Sequence, residues 1–433
     1  MELSIGRNNM QIEKLTNFDK FYIASLFYYC FLINSSIFIL FPILYFPWFF
    51  GIRVIIACVL VIFVVQQQLK WGYFRVNKFL FVLSFLFFLT AFLPSLYHTT
   101  TFLLLRVFID FYFTYMFFLL YKKKYLSPLV NIATVFMFTV IIFAIIGFVY
   151  AFIGNRPTMV VPFRTSFYYW YLTTGTNSSF GGIIRPGGIY DEPGTLSYFI
   201  CLLCFLRVFS KKNDGVTFVL LLLGNITFSM IHAMIFVLFI LYLVFKYKKK
   251  KAFVFYTVLV FVITLAMYIP LRETIDDRLL ARFEGVRVDG GQVTGMNRAY
   301  LFNNELEFLR EDFYNIFLWG APRGNDGLTI IHTERRFGES PLTFLVRDGI
   351  FIAWLYYFFL SFFLLCSVID KKRFFIYISI FLMLLQRQAF FSFGTGSGAA
   401  VLILFLTGLD LIKRRLDKMK WMFKSTIYVK AKK

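Results

Sequence analysis

Residues 129–153 read LVNIATVFMFTVIIFAIIGFVYAFI, an apolar run without a charged side chain. About 20 apolar residues in a helix cross the roughly 30 Å hydrocarbon core of a bilayer, and similar runs recur from one end of the chain to the other. Of the 433 residues, 59% are hydrophobic and 16% are charged, whereas soluble domains average about 25% charged residues. The sequence therefore predicts an all-α polytopic membrane protein, with a single integral membrane domain over residues 1–433.

The apolar runs predict about twelve transmembrane helices. Their expected ranges are 20–41, 48–66, 79–97, 102–121, 129–153, 194–209, 215–229, 231–247, 252–270, 341–368, 373–391 and 396–413. Cys201 and Cys204 have Cys-x-x-Cys spacing but lie in a predicted span, where neither a disulfide nor zinc is expected. No other metal-ligand spacing and no phosphate-binding or dinucleotide motif occurs, so neither a metal nor a cofactor is expected.

Lysine positions predict the orientation in the membrane. The clusters are Lys70 with Lys78, Lys122–Lys124, Lys211–Lys212, Lys246–Lys251, Lys371–Lys372 and the lysines from Lys413 onward. They fall in alternate connections, the pattern expected of cytoplasmic loops, which are enriched in lysine and arginine. We therefore expect both termini in the cytoplasm. The formal net charge of +22 is attributed to this topology, and no nucleic-acid partner is expected.

The opposite face carries two long loops, 154–193 and 271–340. Neither loop contains a lysine, yet both are rich in arginine. The topology rule would deplete both cations equally, so it does not explain the difference. Because the rigid fork of arginine binds phosphate or carboxylate through two parallel hydrogen bonds, we favour an oxyanion-binding role for these arginines.

The first loop ends in Arg185-Pro-Gly-Gly-Ile-Tyr-Asp-Glu192-Pro193. Arg185 and Glu192 flank a Gly-Gly turn whose backbone N–H groups are expected to be exposed. A helix predicted to begin near Pro193 would add its N-terminal dipole, so that the set would hold an anion beside a carboxylate. A tight turn closed by a structural Arg185–Glu192 pair is an equally open alternative. For the aromatic run Phe167–Tyr171, an interfacial belt is preferred over a sugar-stacking surface.

The second loop has two apolar stripes at helical spacing. They are Leu271, Ile275, Leu279 and Phe283, and Phe302, Leu306, Leu309 and Phe313. The spacing predicts amphipathic helices that lie on the membrane surface or cap a cavity. The expected architecture is a set of spanning helices with two long loops that contain amphipathic helices.

Arg298 begins the second of these helices, and His332, Arg336 and Glu339 follow near the end of the loop. Arginines would stabilise a departing pyrophosphate, and the histidine or a glutamate would accept a proton from an attacking hydroxyl. The alternative is a solvated loop whose charges pair among themselves. His98 and His232 each stand alone in the sequence and are expected to be structural.

Three short pieces carry a family resemblance. Residues 185–193 resemble the R-x-x-G-x-x-x-E-P pattern of the O-antigen polymerase (Wzy) family and the related O-antigen ligases. Asn297-Arg298 at a helix start and Glu339-Ser340 at the entry to the tenth span resemble other parts of that family.

The resemblance implies a metal-independent glycosyltransferase of the GT-C type in the bacterial inner membrane, with both loops periplasmic. Such enzymes transfer a glycan from undecaprenyl pyrophosphate to a hydroxyl of another lipid-linked repeat unit. It further implies that Arg185 and Arg298 contact the pyrophosphate, and a chain-length regulator is a further candidate partner.

Two alternatives remain open: a ligase that transfers glycan to lipid A-core, and a flippase of lipid-linked oligosaccharide. Ligases of this superfamily usually show a His-Asn pair before the tenth span. His332 is followed by Thr333 in this chain, which favours the polymerase.

Overall fold

The computed structural model describes part of the chain. The described residues are 15–32, 59, 62, 66, 70, 78–98, 121–163, 166–177, 179–180, 183–190, 192–247, 287–289, 292–294, 297–322, 340–386 and 396–430. The structure is mostly helical.

The helices of the first half are α1 Asn17–Phe27, which continues as a π-helical turn Tyr28–Leu32, α2 Lys78–Tyr97, α3 Leu126–Phe152, α4 Pro193–Phe209, α5 Asp214–Gly224 and α6 Met230–Tyr247. Short 3₁₀ turns precede α3 at Lys123–Tyr125 and follow α5 at Asn225–Thr227. The helices of the second half are α7 Asn297–Glu311, α8 Phe313–Trp319, α9 Thr343–Asp348, α10 Ile350–Ile369, α11 Phe374–Gln386 and α12 Gly396–Lys430, with a 3₁₀ turn at Lys371–Arg373.

Among the described residues, three segments are long and apolar enough to cross a membrane: Lys123–Phe152, Met230–Tyr247 and Ile350–Ile369. A helical membrane protein is therefore confirmed. The number of twelve spans stays a prediction, because the expected spans 48–66, 102–121 and 252–270 lie largely or wholly outside the described residues. The expected tenth span, 341–368, is divided into α9 and α10 at Gly349, whose φ of +71° favours glycine.

The first long loop forms strands rather than helices. An antiparallel sheet has the order β1 Met159–Phe163, β2 Ser166–Tyr171 and β3 Thr174–Thr176, and β4 Ser179–Phe180 pairs with β5 Ile183–Ile184. Amphipathic helices in both long loops were expected, and this expectation is wrong for the first loop. Its aromatic run favours a strand, and its glycines and prolines disfavour a helix.

The second long loop contains the expected second helix, because α7 begins at Asn297 and includes Phe302, Leu306 and Leu309. The stripe from Leu271 to Phe283 lies outside the described residues. A short hairpin, β6 Arg287–Asp289 and β7 Gln292–Thr294, precedes α7.

Helix α4 forms the centre of the described bundle. Every residue from Pro193 to Phe209 is buried, and α4 packs against α3, α5, α6, α11 and α12. Other protein elements, rather than lipid or water, therefore cover this helix on all sides. The residue stretch that includes Arg185 therefore leads directly into the most enclosed helix of the structure.

Buried aspartates tie helix ends together on the face where lysines cluster. Asp19 accepts hydrogen bonds from the Thr16 N–H at 2.9 Å, the Tyr125 hydroxyl at 2.7 Å and the Lys124 ammonium at 3.1 Å. The bonds link the start of α1 to the start of α3. Asp214 makes a similar link with Lys246 and Tyr247. Asp370 makes another with Arg373 and Arg415.

Asp19→Asn is expected to lower the free energy of unfolding by about 1–3 kcal/mol at neutral pH, because it weakens buried, charge-assisted hydrogen bonds. Burial raises the pKa of Asp19, but hydrogen bonds from Tyr125, Thr16 and Lys124 outweigh it and lower the pKa from 3.8 to about 2. The ionised carboxylate therefore stabilises the fold above pH ~4, and this contribution is lost as the pH falls from ~4 to ~2. Thermal unfolding of the purified protein in detergent across this pH range measures both effects.

Asp410→Asn is the matched control. Asp410 is half-exposed. Its Oδ2 lies 3.9 Å from Lys123 Nζ and 3.5 Å from Arg414 Nη2. Exposed pairs of this kind contribute about 0–1 kcal/mol. Equal losses of stability in the two variants would contradict the role of Asp19.

Candidate functional site

Arg185 is half-buried and fixed against the turn between α5 and α6. Its Nε donates to the Thr227 carbonyl and its Nη2 to the Phe228 carbonyl, both at 3.2 Å. Phe228 has a left-handed backbone with φ of 49°, which ends the 3₁₀ turn. One edge of the guanidinium is thus oriented by two consecutive carbonyl groups.

His232 fastens the same turn to α4. Its Nε2 bonds to the Leu221 carbonyl at 2.8 Å, and its Nδ1 lies 3.2 Å from the Ser197 hydroxyl. Because a carbonyl only accepts, we assign the ring proton to Nε2, and Ser197 then donates to Nδ1. The ring is fully buried, and these bonds agree with the expectation that His232 is structural.

The Gly187-Gly188 turn is closed. The Gly187 N–H donates to the Gly175 carbonyl at 2.8 Å, and the Gly188 N–H donates to the Thr174 hydroxyl at 2.9 Å. The expectation that these N–H groups are exposed to an anion is therefore wrong. Strand β3 lies across the turn and uses both donors.

Two neighbouring tyrosines in the aromatic run of β2 lie on opposite faces of the strand. Tyr168 is fully buried, and its hydroxyl donates to the Tyr190 carbonyl at 2.8 Å. Gly175 leaves the space for this ring, since a Cβ at that position would lie 1.7 Å from the Tyr168 hydroxyl. Tyr169, on the opposite face, is 36% exposed. Tyr168 is thus a packing residue, neither part of an interfacial belt nor available to a sugar.

Glu192 is the N-cap residue of α4, followed by Pro193 at the first helical position. Its carbonyl accepts the Thr195 N–H at 3.0 Å, and its Oε1 lies 3.4 Å from the Thr195 hydroxyl. Glu192 therefore lies at the positive end of the α4 dipole. The turn that includes Arg185 leads into this helix end.

Glu305 is a buried carboxylate that was not among the predicted site residues. It lies in α7, is fully buried, and accepts hydrogen bonds from the hydroxyls of Ser340 and Thr343, the latter at 2.7 Å. The Ser340 N–H also donates to the Thr343 hydroxyl at 3.0 Å. The cluster joins α7 to the segment through which the second loop returns to the bundle.

One sequence signal pointed to Glu305. Together with Phe302, Leu306 and Leu309 it completes an i, i+3, i+4, i+7 pattern, so the carboxylate occupies the apolar face of its helix. A charged residue at such a position requires a buried partner.

Arg347 and Asp348 form an ion pair at the end of α9. The Arg347 Nε and Nη2 donate to Asp348 Oδ2 at 2.9 and 2.6 Å, and Asp348 is buried. Burial lowers the pKa of Arg347, but the carboxylates of Asp348 and Glu305 outweigh it and raise the pKa. This arginine is therefore held in its charged form next to the Glu305 cluster.

Two neighbouring tyrosines of α10 bond to backbone carbonyls outside that helix. The Tyr356 hydroxyl donates to the Leu384 carbonyl of α11 at 3.0 Å. The Tyr357 hydroxyl donates to the Pro341 carbonyl at 2.9 Å. Tyr357 thus fixes the segment through which the second loop returns against α10.

The remaining predicted site residues are only partly described. Arg298 lies in the first turn of α7, seven residues before Glu305, and this spacing places the two positions on one face of the helix. His332, Arg336 and Glu339 lie outside the described residues. Within the part of the chain that the structure describes, no group of three or more His, Cys, Asp or Glu side chains is arranged to hold a metal ion.

The fold and its apolar spanning helices define a helical membrane protein. No protein-family model matches the chain, and comparison with curated proteins and with solved structures gave no match.

Glu305→Ala is expected to lower the free energy of unfolding by about 1–3 kcal/mol, because it removes the acceptor of two buried hydroxyl groups. Arg310→Ala, at an exposed position of the same helix, is expected to change it by about 0.5 kcal/mol or less. Thermal unfolding in detergent measures both values. Exchange of backbone amide hydrogens should also rise in α7 and α9 of Glu305→Ala but not of the control variant. Unchanged exchange in Glu305→Ala would show that Glu305 does not join α7 to α9.

Gly188→Ala is expected to destabilise the protein more than Gly154→Ala. Both glycines have positive φ, +63° and +91°, which costs other residues about 1–2 kcal/mol. A Cβ on Gly188 would also lie 2.8 Å from Val140 Cγ1, whereas nothing lies within 4 Å of one on Gly154. The overpacking adds about 1–3 kcal/mol, and equal midpoints of thermal unfolding for the two variants would contradict this packing.

Proposed function

We propose that the protein is an O-antigen or related surface-polysaccharide polymerase of the bacterial inner membrane. The reaction joins a hydroxyl oxygen of one lipid-linked repeat unit to the anomeric carbon of another glycan. The bond from that carbon to undecaprenyl pyrophosphate breaks, and the hydroxyl proton passes to a base. The pyrophosphate leaves with the bonding electron pair, so the site must stabilise negative charge.

The observation that carries the proposal is the fixed guanidinium of Arg185 at the entry to α4. Its two bonds to the Thr227 and Phe228 carbonyls orient it before any ligand binds. A preoriented donor stabilises developing charge without reorganising during the reaction. Glu192 and the N-terminus of α4 follow seven and eight residues later in the chain.

The second support comes from the return of the second loop. The bond between Glu305 and Thr343 joins α7, whose first turn holds Arg298, to the segment that leads back into the bundle. In the proposal, Arg298 and Arg336 assist Arg185 in binding the pyrophosphate. His332 or Glu339 accepts the hydroxyl proton.

The proposed substrate is an undecaprenyl-pyrophosphate-linked oligosaccharide presented from the lipid bilayer on the periplasmic side. Both termini then lie in the cytoplasm, as the lysine clusters predict. A chain-length regulator is the proposed protein partner, and the proposed transfer requires no cofactor.

Arg185→Lys is the sharpest test. Lysine keeps the positive charge but lacks the planar fork that bonds two carbonyl groups at once. We expect loss of long polysaccharide chains while the protein remains inserted at its normal level. Polysaccharide from a deletion strain complemented with the variant, separated by size, measures the effect.

Arg207→Lys is the matched control. Arg207 is buried at the other end of α4 and bonds to Thr217 Oγ1, Thr134 Oγ1 and the Asn213 carbonyl. This variant is expected to lose stability but to keep normal chain lengths for the protein that remains. Normal chain lengths in Arg185→Lys would overturn the anion-binding role.

The deletion strain itself separates the candidate functions. Loss of a polymerase leaves one repeat unit on lipid A-core, and loss of a ligase leaves lipid-linked polymer. Loss of a flippase leaves single units on the cytoplasmic side.

A further inference from the structure

Helix α8 has three distinct faces. At 100° per residue, Ile316 points to the protein interior and is buried. Phe313, Phe317 and Tyr314 occupy an apolar arc beside it. The polar edge is formed by Asp312, the N-cap residue, and Asn315, whose amide donates to the Asp312 carboxylate at 2.8 Å.

Two residues of the apolar arc are not covered by the described part of the protein, whereas Phe317 is half-buried against the core. Phe313 is 49% exposed and Tyr314 is 78% exposed. Phe313 stacks on Phe317 with ring centroids 5.4 Å apart, so the rings form a continuous aromatic surface. Large aromatic side chains side by side in water are unfavourable.

The C-terminal end of α8 is fixed to two apolar membrane helices. Trp319 stacks on Tyr97, the last residue of α2, with centroids 4.6 Å apart, and lies 5.2 Å from Phe351 at the start of α10. The His98 ring bonds to the Trp319 carbonyl at 3.0 Å. Helix α8 therefore lies at the level where α2 ends and the spanning helix α10 begins.

The exposed apolar surface of α2 continues onto α8. Leu93, Leu96 and Tyr97 in the last turns of α2 are all exposed, as expected of a helix that faces lipid. Tryptophan and tyrosine are enriched where a membrane meets water. The arrangement of aromatic residues on one face and polar residues on another is typical of helices that lie in this boundary.

We propose that α8 lies in the plane of the membrane, with Phe313, Tyr314 and Phe317 in the boundary between lipid headgroups and acyl chains. Its partner is the phospholipid bilayer, and Asp312 and Asn315 face the water. The second loop is thereby anchored in lipid between α2 and α10. The inference does not depend on the proposed enzymatic activity.

Spin labels on neighbouring residues test this placement. Tyr314→Cys, Phe313→Cys and Asn315→Cys are each labelled in the full chain and placed in phospholipid nanodiscs. Collision with oxygen, which concentrates in lipid, is compared with collision with a water-soluble nickel chelate. The described native cysteines are buried, and the signal from the labelled unsubstituted protein is subtracted.

Two positions calibrate the measurement. Val135→Cys, 70% exposed in the middle of the spanning helix α3, reports lipid, and Arg156→Cys, exposed beyond the end of α3, reports water. We expect labels at 313 and 314 to collide with oxygen more often than with nickel, with a ratio between those at 135 and 156, as a position at the headgroup boundary requires. The label at 315 should resemble the one at 156.

Two results would overturn the proposal. Preferential collision with nickel at 313 and 314 would place the face in water. Protection from both reagents would show that a protein surface, such as a second copy of the chain, covers it. If one of the two aromatic substitutions prevents folding, the other still gives the result.

Discussion

The enclosure of α4 is the constraint on which the described structure depends. A helix buried along its whole length must have a partner for each polar group within its own surroundings, because water is excluded. Ser197 is paired with His232, and Arg207 bonds to hydroxyl groups of Thr134 and Thr217. These bonds reach α3, α5 and α6, so the polar groups of α4 also fix the helices around it.

The same enclosure determines the geometry near Arg185. Because α4 is held on all sides, its N-terminal residues have a defined position, and the preceding turn is closed from outside by β3. The backbone N–H groups of Gly187 and Gly188 are used by that strand. In the proposed reaction, anion recognition by this loop would depend on the Arg185 side chain and on the end of α4, because the Gly-Gly turn contributes a fixed backbone rather than donors.

The sequence predicted the elements that are specified by a pattern of neighbouring residues. The long apolar runs of α3, α6 and α10 follow from helix rise and bilayer thickness, and the periodic stripe of α7 predicted its helix. The sheet of the first loop was missed because every residue from Phe167 to Tyr171 is aromatic. Burial alternates there between Tyr168 and Tyr169, but a run of uniformly aromatic residues shows no period of two.

The role of Glu305 could not be predicted from its neighbours. Its position on an apolar face indicated that a partner was needed, but the partners Ser340 and Thr343 are 35 and 38 residues away in the chain. No local pattern specifies which distant hydroxyl groups meet a buried carboxylate. For the same reason, no local sequence pattern predicts the contact between Arg185 and the turn at Thr227 and Phe228.

The contacts of two arginines offer a second reason why arginine is used where lysine is absent. Arg185 bonds to two carbonyl groups, and Arg347 bonds to Asp348 through two of its nitrogens. In both cases the protein itself uses the planar fork, and lysine cannot replace it. At Arg185, the preference for arginine over lysine in the first long loop therefore has a structural component. An anion-binding role for Arg185 then depends less on residue type than on its fixed orientation at the entry to α4.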